Sequence, residues 1–243
     1  QRRGGKGKMG MTARTEDFVN NLFVASTHSY VLIFTEKGQL FWLKVHEIPQ
    51  ASRTAKGKPI VNLVQMPQDD RLSAIVPVTE FSDNKEIIMV TAKGTIKKTN
   101  LSHYSRPRAS GIIGISVEEG DRLVMTRMLD VGKAQNILIS SKNGYCIRFP
   151  EEQVRSMGRA AHGVRGMDLR DGDQVVSMEV IDREASILTV TENGYGKRTD
   201  TSEYRGQTRG GKGVIAIKVD ERNGSVVGSI LVEETDDVML ITD

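Results

Sequence analysis

The sequence predicts an all-β fold made of a unit that repeats about every 50 residues. An apolar, β-branched run followed by Thr or Ser, two further residues and Gly occurs four times, and its glycines are 56, 50 and 50 residues apart. Helical periodicity is nearly absent, and its best stretch, residues 152–157, is too short for an independent helix. The 24 glycines and 6 prolines indicate many turns between short elements.

The repeated run predicts a hairpin of two strands in each unit, because Lys-Gly or Asn-Gly stands where the chain would reverse. We place the turns at residues 38, 94, 144 and 194. A fifth copy of the run begins at Val238, and we expect its hairpin to be truncated at Asp243.

Basic loops that end in a glycine form a second periodic feature, and their glycines are Gly7, Gly57, Gly111, Gly163 and Gly213. Apolar strands are predicted after four of these loops, at residues 60–64, 112–117, 164–169 and 214–219. Further strands are predicted at residues 72–78, 123–129, 175–181 and 226–232. Four short strands per unit match a propeller blade, and one such sheet cannot bury both of its faces. Stacked units therefore predict a propeller-like ring or spiral, whereas a sandwich or a barrel would not explain the period.

Composition excludes several classes of protein. The net charge of +3 is only mildly basic, so total charge does not identify a nucleic-acid partner. The single cysteine, Cys146, excludes an internal disulfide and fits a reducing compartment. No apolar run approaches 18 residues, and the N-terminus has no apolar stretch of the signal-peptide type. Because the chain begins with Gln1, we expect it to be a piece of a longer protein.

Charge alternates in phase with the repeat, although the net charge hides this. Residues 37–58, for example, carry five cations and one acid, whereas residues 68–86 are net negative. Because equivalent loops of a ring lie at equivalent places, the cations should gather on one part of the surface and the acids on another. The basic segments are 37–58 (+4), 93–108 (+5), 142–165 (+3) and 197–212 (+3), and the acidic ones are 68–86 (−3), 118–130 (−2), 168–184 (−4) and 220–237 (−5).

A basic band with few aromatic residues suits a duplex backbone better than a single strand, which needs stacking platforms. Trp42 is the one tryptophan, and a recognition helix or zinc finger for reading bases is missing. The pattern therefore predicts phosphate contacts without sequence reading, as in DNA wrapping. The predicted backbone-binding residues are Lys44, Arg53, Lys56, Lys58, Lys97, Lys98, Arg106, Arg108, Arg148, Arg155, Arg159, Arg165, Lys197, Arg198, Arg205, Arg209 and Lys212.

The first seven residues combine three cations with three glycines, which attract phosphate and let main-chain N–H groups approach it. These residues are Gln1, Arg2, Arg3, Gly4, Gly5, Lys6 and Gly7. They match the box motif of the C-terminal domain of the DNA gyrase A protein. The chain resembles that family also at residues 59–63, 92–99, 163–166, 193–199 and 221–224. A near copy of the box lies at 207–213, and it is either a second DNA contact or a loop that retained an ancestral sequence.

The resemblance implies a six-bladed β-pinwheel, with residues 1–243 forming one domain that is incomplete at both ends. It implies that duplex DNA wraps around a basic outer rim, and that the box loop joins the first and last blades and is needed for wrapping in the positive sense. ATP-dependent strand passage by the whole bacterial enzyme would then introduce negative supercoils. The resemblance further implies a non-catalytic domain that binds no cofactor itself, since ATP and Mg²⁺ act elsewhere in the enzyme. The implied partners are duplex DNA, the rest of a dimeric gyrase A protein, and the gyrase B protein in an A2B2 assembly in the cytoplasm, at the nucleoid.

Two alternatives stay open: the C-terminal domain of the topoisomerase IV A-type protein, and a propeller that binds other proteins. The intact box favours gyrase. Residues 206–212 almost fit a phosphate-binding P-loop, but Gly213 stands where Ser or Thr is required. Tyr104 and Tyr204 stand where other repeats have Ile or Val, Tyr145 and Tyr195 follow a turn glycine, and Tyr30 has no basic partner nearby, so no catalytic tyrosine is predicted. The histidines and Cys146 do not cluster, so no metal site is predicted. The acidic turns are expected to keep the protein soluble and to repel DNA.

Overall fold

The computed structural model describes residues 23–52 and 58–238, and within them the protein is built almost entirely of strands and turns. The strands are β1 (Tyr30–Thr35), β2 (Gln39–Lys44), β3 (Leu72–Val78), β4 (Lys85–Thr91), β5 (Thr95–Asn100), β6 (Ile112–Ile113), β7 (Leu123–Asp130), β8 (Asn136–Ser141), β9 (Tyr145–Pro150), β10 (Val164–Arg165), β11 (Val175–Ile181), β12 (Ser186–Thr191), β13 (Gly196–Asp200), β14 (Val214–Ile215) and β15 (Val226–Val232). Short 3₁₀ helices lie at Val45–Glu47, Ile60–Asn62, Leu101–Tyr104, Glu151–Gln153 and Thr201–Glu203. No helix among the described residues is long and apolar enough to cross a membrane.

The described strands form four antiparallel sheets, which confirms the predicted all-β class. Each sheet contains one hairpin, and the long strand that follows the hairpin pairs with the hairpin's first strand. The sheet orders are β3-β1-β2-β6, β10-β5-β4-β7, β11-β8-β9-β14 and β13-β12-β15. The long strands β3, β7, β11 and β15 contact one another in succession, so they line one side of the stack of sheets. The second strand of each hairpin therefore lies toward the other side, which we call the outer side.

The short two-residue strands join neighbouring units. Strand β6 follows the second hairpin along the chain, yet it pairs with β2 of the first hairpin, with Gln39 opposite Ile113. In the same way β10 pairs with β5 and β14 pairs with β9. Each unit thus completes the sheet of the unit before it, and adjacent blades are interlocked by main-chain hydrogen bonds.

The strands predicted at 112–117, 164–169 and 214–219 are two residues long in the structure, and the strand predicted at 60–64 is replaced by the 3₁₀ helix at Ile60–Asn62. The short strands end early because the chain then wraps around the neighbouring hairpin turn. The N–H groups of Gly114 and Ile115 both donate to the carbonyl oxygen of Gly38, at 2.8 and 3.2 Å. The same arrangement recurs at the turns of Gly94 and Gly144. These two hydrogen bonds to the turn glycine, which we call the clasp, replace the rest of the predicted six-residue strand.

The hairpin turns require glycine for two reasons. Gly38 has φ of 83°, a left-handed conformation that favours glycine. A Cβ atom added there would also overlap the carbonyl oxygen of Ile115, which belongs to the clasp. Gly94 and Gly144 are equivalent, so turn and clasp depend on the same residue in the first three units, whereas a Cβ atom added at Gly194 would meet no described atom within 4 Å.

The core lies between adjacent sheets, and the first three hairpins are buried on both faces, whereas β12 of the fourth hairpin alternates and β13 is largely exposed. Ile87 and Met89 of β4 pack with Leu32 and Phe34 of the first sheet. Ile88 and Val90 of the same strand pack on the opposite face with residues of the third sheet, such as Ile139. Burial on both faces explains why the strands are continuous apolar runs rather than alternating ones.

Candidate nucleic-acid interface

Three basic loops lie within the described residues, and we number them by the hairpin that each follows. The second loop comprises residues 105–111, the third 155–163 and the fourth 205–213. Each loop leads into a short strand that pairs with the second strand of a hairpin. The loops are thereby fixed on the outer side of the sheets.

The loops form a continuous row, because each contacts the segment that follows the preceding loop. The N–H and Oγ of Ser116 donate to the carbonyl oxygens of Ala161 and Ala160, at 3.3 and 2.7 Å. The N–H of Gly210 likewise donates to the carbonyl oxygen of Gly166, at 2.8 Å. We call this row of three loops the basic band.

Ten of the predicted backbone-binding residues are exposed. Arg165 lies 3.8 Å from Asp168, and Arg198 lies 3.0 Å from Glu234. Such exposed ion pairs hold the side chains weakly, so both remain accessible to a phosphate. The exposed residues are Lys44, Lys58, Arg106, Arg108, Arg155, Arg165, Lys197, Arg198, Arg205 and Lys212. Arg53, Lys56 and the box residues Gln1 to Gly7 lie outside the described residues.

Acidic side chains lie mainly at the ends of the sheets, where they have structural partners. At the hairpin-turn end, Asp70 Oδ1 accepts hydrogen bonds from the N–H groups of Lys37 and Arg71, at 3.1 and 2.8 Å. Asp121 and Asp173 hold the next two turns in the same way. The sequence predicted solubility and repulsion of DNA for these residues. The structure adds a role in fixing the turns.

Two of the predicted phosphate-binding lysines are buried, and this corrects their assignment. Lys97 is 0% exposed, and its ammonium donates to the carbonyl oxygens of Gly114, at 2.8 Å, and Arg159. Burial, and then the charge of Arg159, lower the pKa of Lys97 to about 7. Since its donors already serve these carbonyl groups below the surface, Lys97 does not reach a bound phosphate in this structure.

Lys98 is committed to carboxylates. Its ammonium lies 3.1 Å from Glu86 and also pairs with Glu151 of the following unit. Burial acts to lower the pKa of Lys98, but the hydrogen bonds to Glu151 and Glu86 outweigh it and raise the pKa. Lys98 therefore joins two blades and is not available for phosphate.

In the first three hairpins the residue four positions after the turn glycine connects its blade to the next. Trp42 Nε1 donates to the carbonyl oxygen of Tyr104 at 2.8 Å, and Arg148 Nη1 donates to those of Thr201 and Tyr204 at 2.7 and 3.3 Å. Lys98 and Arg198 occupy the same position in the other hairpins. The sequence contains a signal for this role. All of these residues have a long side chain with an N–H donor, but tryptophan is uncharged, so charge is not what they have in common.

Arg209, in the copy of the box, also has a structural role. Its Nε donates to the carbonyl oxygen of Gln153 at 2.9 Å, its Nη1 donates to the carbonyl oxygen of Arg165, and its main-chain N–H donates to Gln153 Oε1 at 2.7 Å. At the end of the loop, Arg170 Nη1 donates to the carbonyl oxygen of Lys212 at 2.8 Å. The fourth loop is therefore held rigidly against the third unit, and its exposed cations are Arg205 and Lys212.

The tyrosines and the cysteine have packing partners. Tyr104 is buried, its hydroxyl donates to the carbonyl oxygen of Gly114 at 3.1 Å, and burial raises its pKa. The Tyr145 ring lies under the guanidinium of Arg170, 3.4 Å from the ring centroid. Burial raises the pKa of Cys146 to about 12. Among the described residues, no group of three His, Cys, Asp or Glu side chains could hold a metal ion.

Comparison with known proteins identifies one matching domain family and several similar bacterial proteins. Residues 1–26, 29–79, 85–124, 135–182 and 185–233 match the family described as DNA gyrase C-terminal domain, beta-propeller. The chain is 47% identical over its whole length to the DNA gyrase A protein of Salmonella typhimurium, and 44% identical to that of Helicobacter pylori. It covers 27% and 29% of those two proteins, so it spans little more than a quarter of their length.

Two solved structures share the fold. The C-terminal domain of DNA topoisomerase IV superposes with a TM-score of 0.76 at 30% identity, covering 86% of this chain and 65% of the other. The DNA gyrase A C-terminal domain superposes with the same TM-score at 27% identity, covering 86% and 68%. These matches agree with the predicted propeller-type architecture.

Proposed function

The chain belongs to the DNA gyrase C-terminal domain family, and from this premise we propose that it binds duplex DNA without sequence preference and wraps it in the positive sense around the basic band. The observation that carries the proposal is the continuity of the band. Neighbouring loops are joined by hydrogen bonds, so their exposed arginines and lysines form one surface rather than separate patches.

The chemistry of the band fits contacts with the DNA backbone. Arginine and lysine side chains that replace counterions on phosphates provide affinity that is independent of base sequence. The longest helix among the described residues is the four-residue 3₁₀ helix Leu101–Tyr104, so this part of the chain offers no recognition helix for the major groove. A curved row of cations also offsets the cost of bending DNA, roughly 1–6 kcal/mol for a 20–30 base-pair site bent by 40–90°.

Because the chain spans little more than a quarter of its curated relatives, the activity of the whole enzyme is part of the proposal. We infer that the domain presents a DNA segment to a type II topoisomerase, a gyrase built from two A and two B proteins. ATP hydrolysis, Mg²⁺ and DNA cleavage would then lie outside these residues, and strand passage would introduce negative supercoils. The setting that follows is the bacterial cytoplasm, at the nucleoid.

The box residues, Gln1 to Gly7, lie outside the described residues, and their role follows from family membership. We propose that they join the first and last of six blades and are needed for the positive sense of wrapping. Removal of the charges of Arg2, Arg3 and Lys6 should therefore reduce wrapping more than binding, because the exposed cations of the band remain.

The second candidate is the positioning of DNA in topoisomerase IV. It is supported by the solved topoisomerase IV domain, which matches this chain with the same TM-score as the gyrase domain and a slightly higher identity, 30% against 27%. The 47% identity to a gyrase A protein and the intact box at Gln1 to Gly7 favour gyrase. A domain that only binds other proteins would give a salt dependence of DNA binding near zero.

The test of wrapping uses nicked circular DNA that is ligated in the presence of the protein. We expect the linking number to shift in the positive direction in proportion to bound protein. Lys133→Gln provides a control, since Lys133 pairs with Asp130 at the end of a long strand, away from the band. An unchanged linking-number distribution at saturating protein would refute wrapping.

A further inference from the structure

Neighbouring loops of the basic band use equivalent arginines differently. Arg159 of the third loop and Arg209 of the fourth each stand four residues before the loop glycine, Gly163 or Gly213. Arg209 has its guanidinium bound to the carbonyl oxygens of Gln153 and Arg165. The guanidinium of Arg159 has no hydrogen bond or ion pair with any residue in the described ranges 23–52 and 58–238.

A substitution in the adjacent blades accounts for this difference. The third loop is anchored by Lys97, whose ammonium binds the carbonyl oxygen of Arg159. The residue equivalent to Lys97 in the next blade is Ile147, which is buried and has no donor, so the fourth loop depends on Arg209 for its anchor. Because Lys97 anchors the third loop, the guanidinium of Arg159 is not needed as an anchor and is free to bind a ligand.

The released arginine lines an open cleft between the second and third loops. The cleft has a volume of about 550 Å³, and Arg108 and Arg159 lie on its walls. Ile112 and Ile113 also line the cleft, and Ile113 is 51% exposed. None of the described residues that line the cleft is acidic, and the remaining ones are glycine and alanine. A ligand would therefore meet two unpaired guanidinium groups beside a small apolar surface.

We propose that this cleft is a binding site for one phosphodiester unit of duplex DNA. Arg108 and Arg159 bind the phosphate oxygens, and Ile112 and Ile113 contact the adjoining deoxyribose. Guanidinium groups suit this ligand because their planar donors match two phosphate oxygens at once. The guanidinium of Arg209 already binds two main-chain carbonyl oxygens, and it therefore binds no phosphate. The assignment rests on the proposed function, because it takes DNA as the ligand.

The salt dependence of binding to a duplex of about 25 base pairs tests the assignment. Each phosphate contact contributes about 0.9 to the slope of log K against log salt. Because the two arginines share one phosphate, the double variant with Arg108→Gln and Arg159→Gln should reduce the slope by about 0.9, and each single variant by part of that amount. None of these variants should change the midpoint of thermal unfolding. Arg209→Gln removes the same charge from the matched position. It should leave the slope unchanged and lower the midpoint, because it removes an anchor.

Two results would overturn the assignment: an unchanged slope for Arg159→Gln, or equal reductions for Arg159→Gln and Arg209→Gln. Arg159→Lys keeps the charge, so it should restore the slope while binding more weakly than the wild type.

A duplex of 12 base pairs, too short to wrap, separates this proposal from the proposed function. Its titration should shift the NMR signals of the Arg108 and Arg159 side chains and leave that of Arg209 in place. If the NMR signals of the two arginines shift but ligated circles show no change in linking number, the cleft binds phosphate and the wrapping proposal is refuted. If the circles change and neither arginine shifts, wrapping stands and the cleft assignment is overturned.

Discussion

The third and fourth basic loops carry an arginine at the same position, yet only one of these arginines is free to bind a ligand. The guanidinium of Arg209 binds two carbonyl groups of the neighbouring unit and so anchors the fourth loop. The third loop is anchored instead by Lys97, which binds the carbonyl oxygen of Arg159. The difference shows that the anchor of a loop can come either from a lysine of the neighbouring hairpin, as in the third loop, or from an arginine of the loop itself, as in the fourth. The remaining cation is then available to DNA.

Removal of the anchor of the third loop should have the largest effect. Lys97→Ala leaves a cavity and deprives the carbonyl oxygen of Arg159 of its donor. We expect the free energy of unfolding at pH 8 to fall by about 2–4 kcal/mol, measured by urea denaturation. Lys212→Gln, which removes an exposed cation of the fourth loop, should change it by less than about 0.5 kcal/mol. Equal effects of the two substitutions would contradict the internal role of Lys97.

The two anchors should also differ in pH dependence. Lys97 has a pKa of about 7 in the folded protein and an ordinary, higher pKa when unfolded. Between these values the unfolded chain binds more protons, so stability rises with pH, by at most about 1.4 kcal/mol per unit. The groups that face Lys97 are the guanidinium of Arg159 and the hydroxyl of Tyr104, which shares the carbonyl oxygen of Gly114.

The measurement compares the wild type with Lys97→Met from pH 6 to 9. The difference in unfolding free energy should move in favour of the wild type as pH rises. The difference between wild type and Arg209→Gln should stay constant, because arginine does not titrate in this range. A constant difference for Lys97→Met as well would show that Lys97 is an ordinary charged lysine.

A conservative substitution of the second anchor should have the smallest effect. Arg209→Lys retains the charge but cannot donate to the carbonyl oxygens of Gln153 and Arg165 together, because it lacks the guanidinium fork. We expect a loss of about 1 kcal/mol in unfolding free energy, and faster hydrogen exchange at the N–H of Gly210. Full retention of both properties would show that charge, not geometry, holds the fourth loop.

The sequence predicted the all-β class and the repeating sheets because their signals are local. A β-branched run followed by a glycine turn specifies a hairpin without reference to the rest of the chain. The partner of a two-residue strand such as β6 is instead set by the packing of neighbouring units. The pattern therefore did not predict that each short strand pairs with the hairpin of the preceding unit.

The candidate site was predicted only in outline, for a related reason. Periodic charge located the loops, but Lys97 and Lys98 look like any basic pair in the sequence. Their burial depends on acceptors that lie elsewhere in the chain, in the same unit (the carbonyl oxygen of Gly114 and the carboxylate of Glu86) and in the following unit (the carbonyl oxygen of Arg159 and the carboxylate of Glu151). Contacts across 17 to 62 residues carry no signal in a single sequence.

Chemical modification of arginines, read by mass spectrometry with and without duplex DNA, tests the central claim directly. An arginine reagent should modify Arg108, Arg159 and Arg205 in the free protein, and DNA should protect all three. Arg209 should react slowly in both states, because its guanidinium is already bound to carbonyl groups. If DNA protected Arg209 as strongly as Arg159, or left the exposed arginines of the band unprotected, the account would be contradicted.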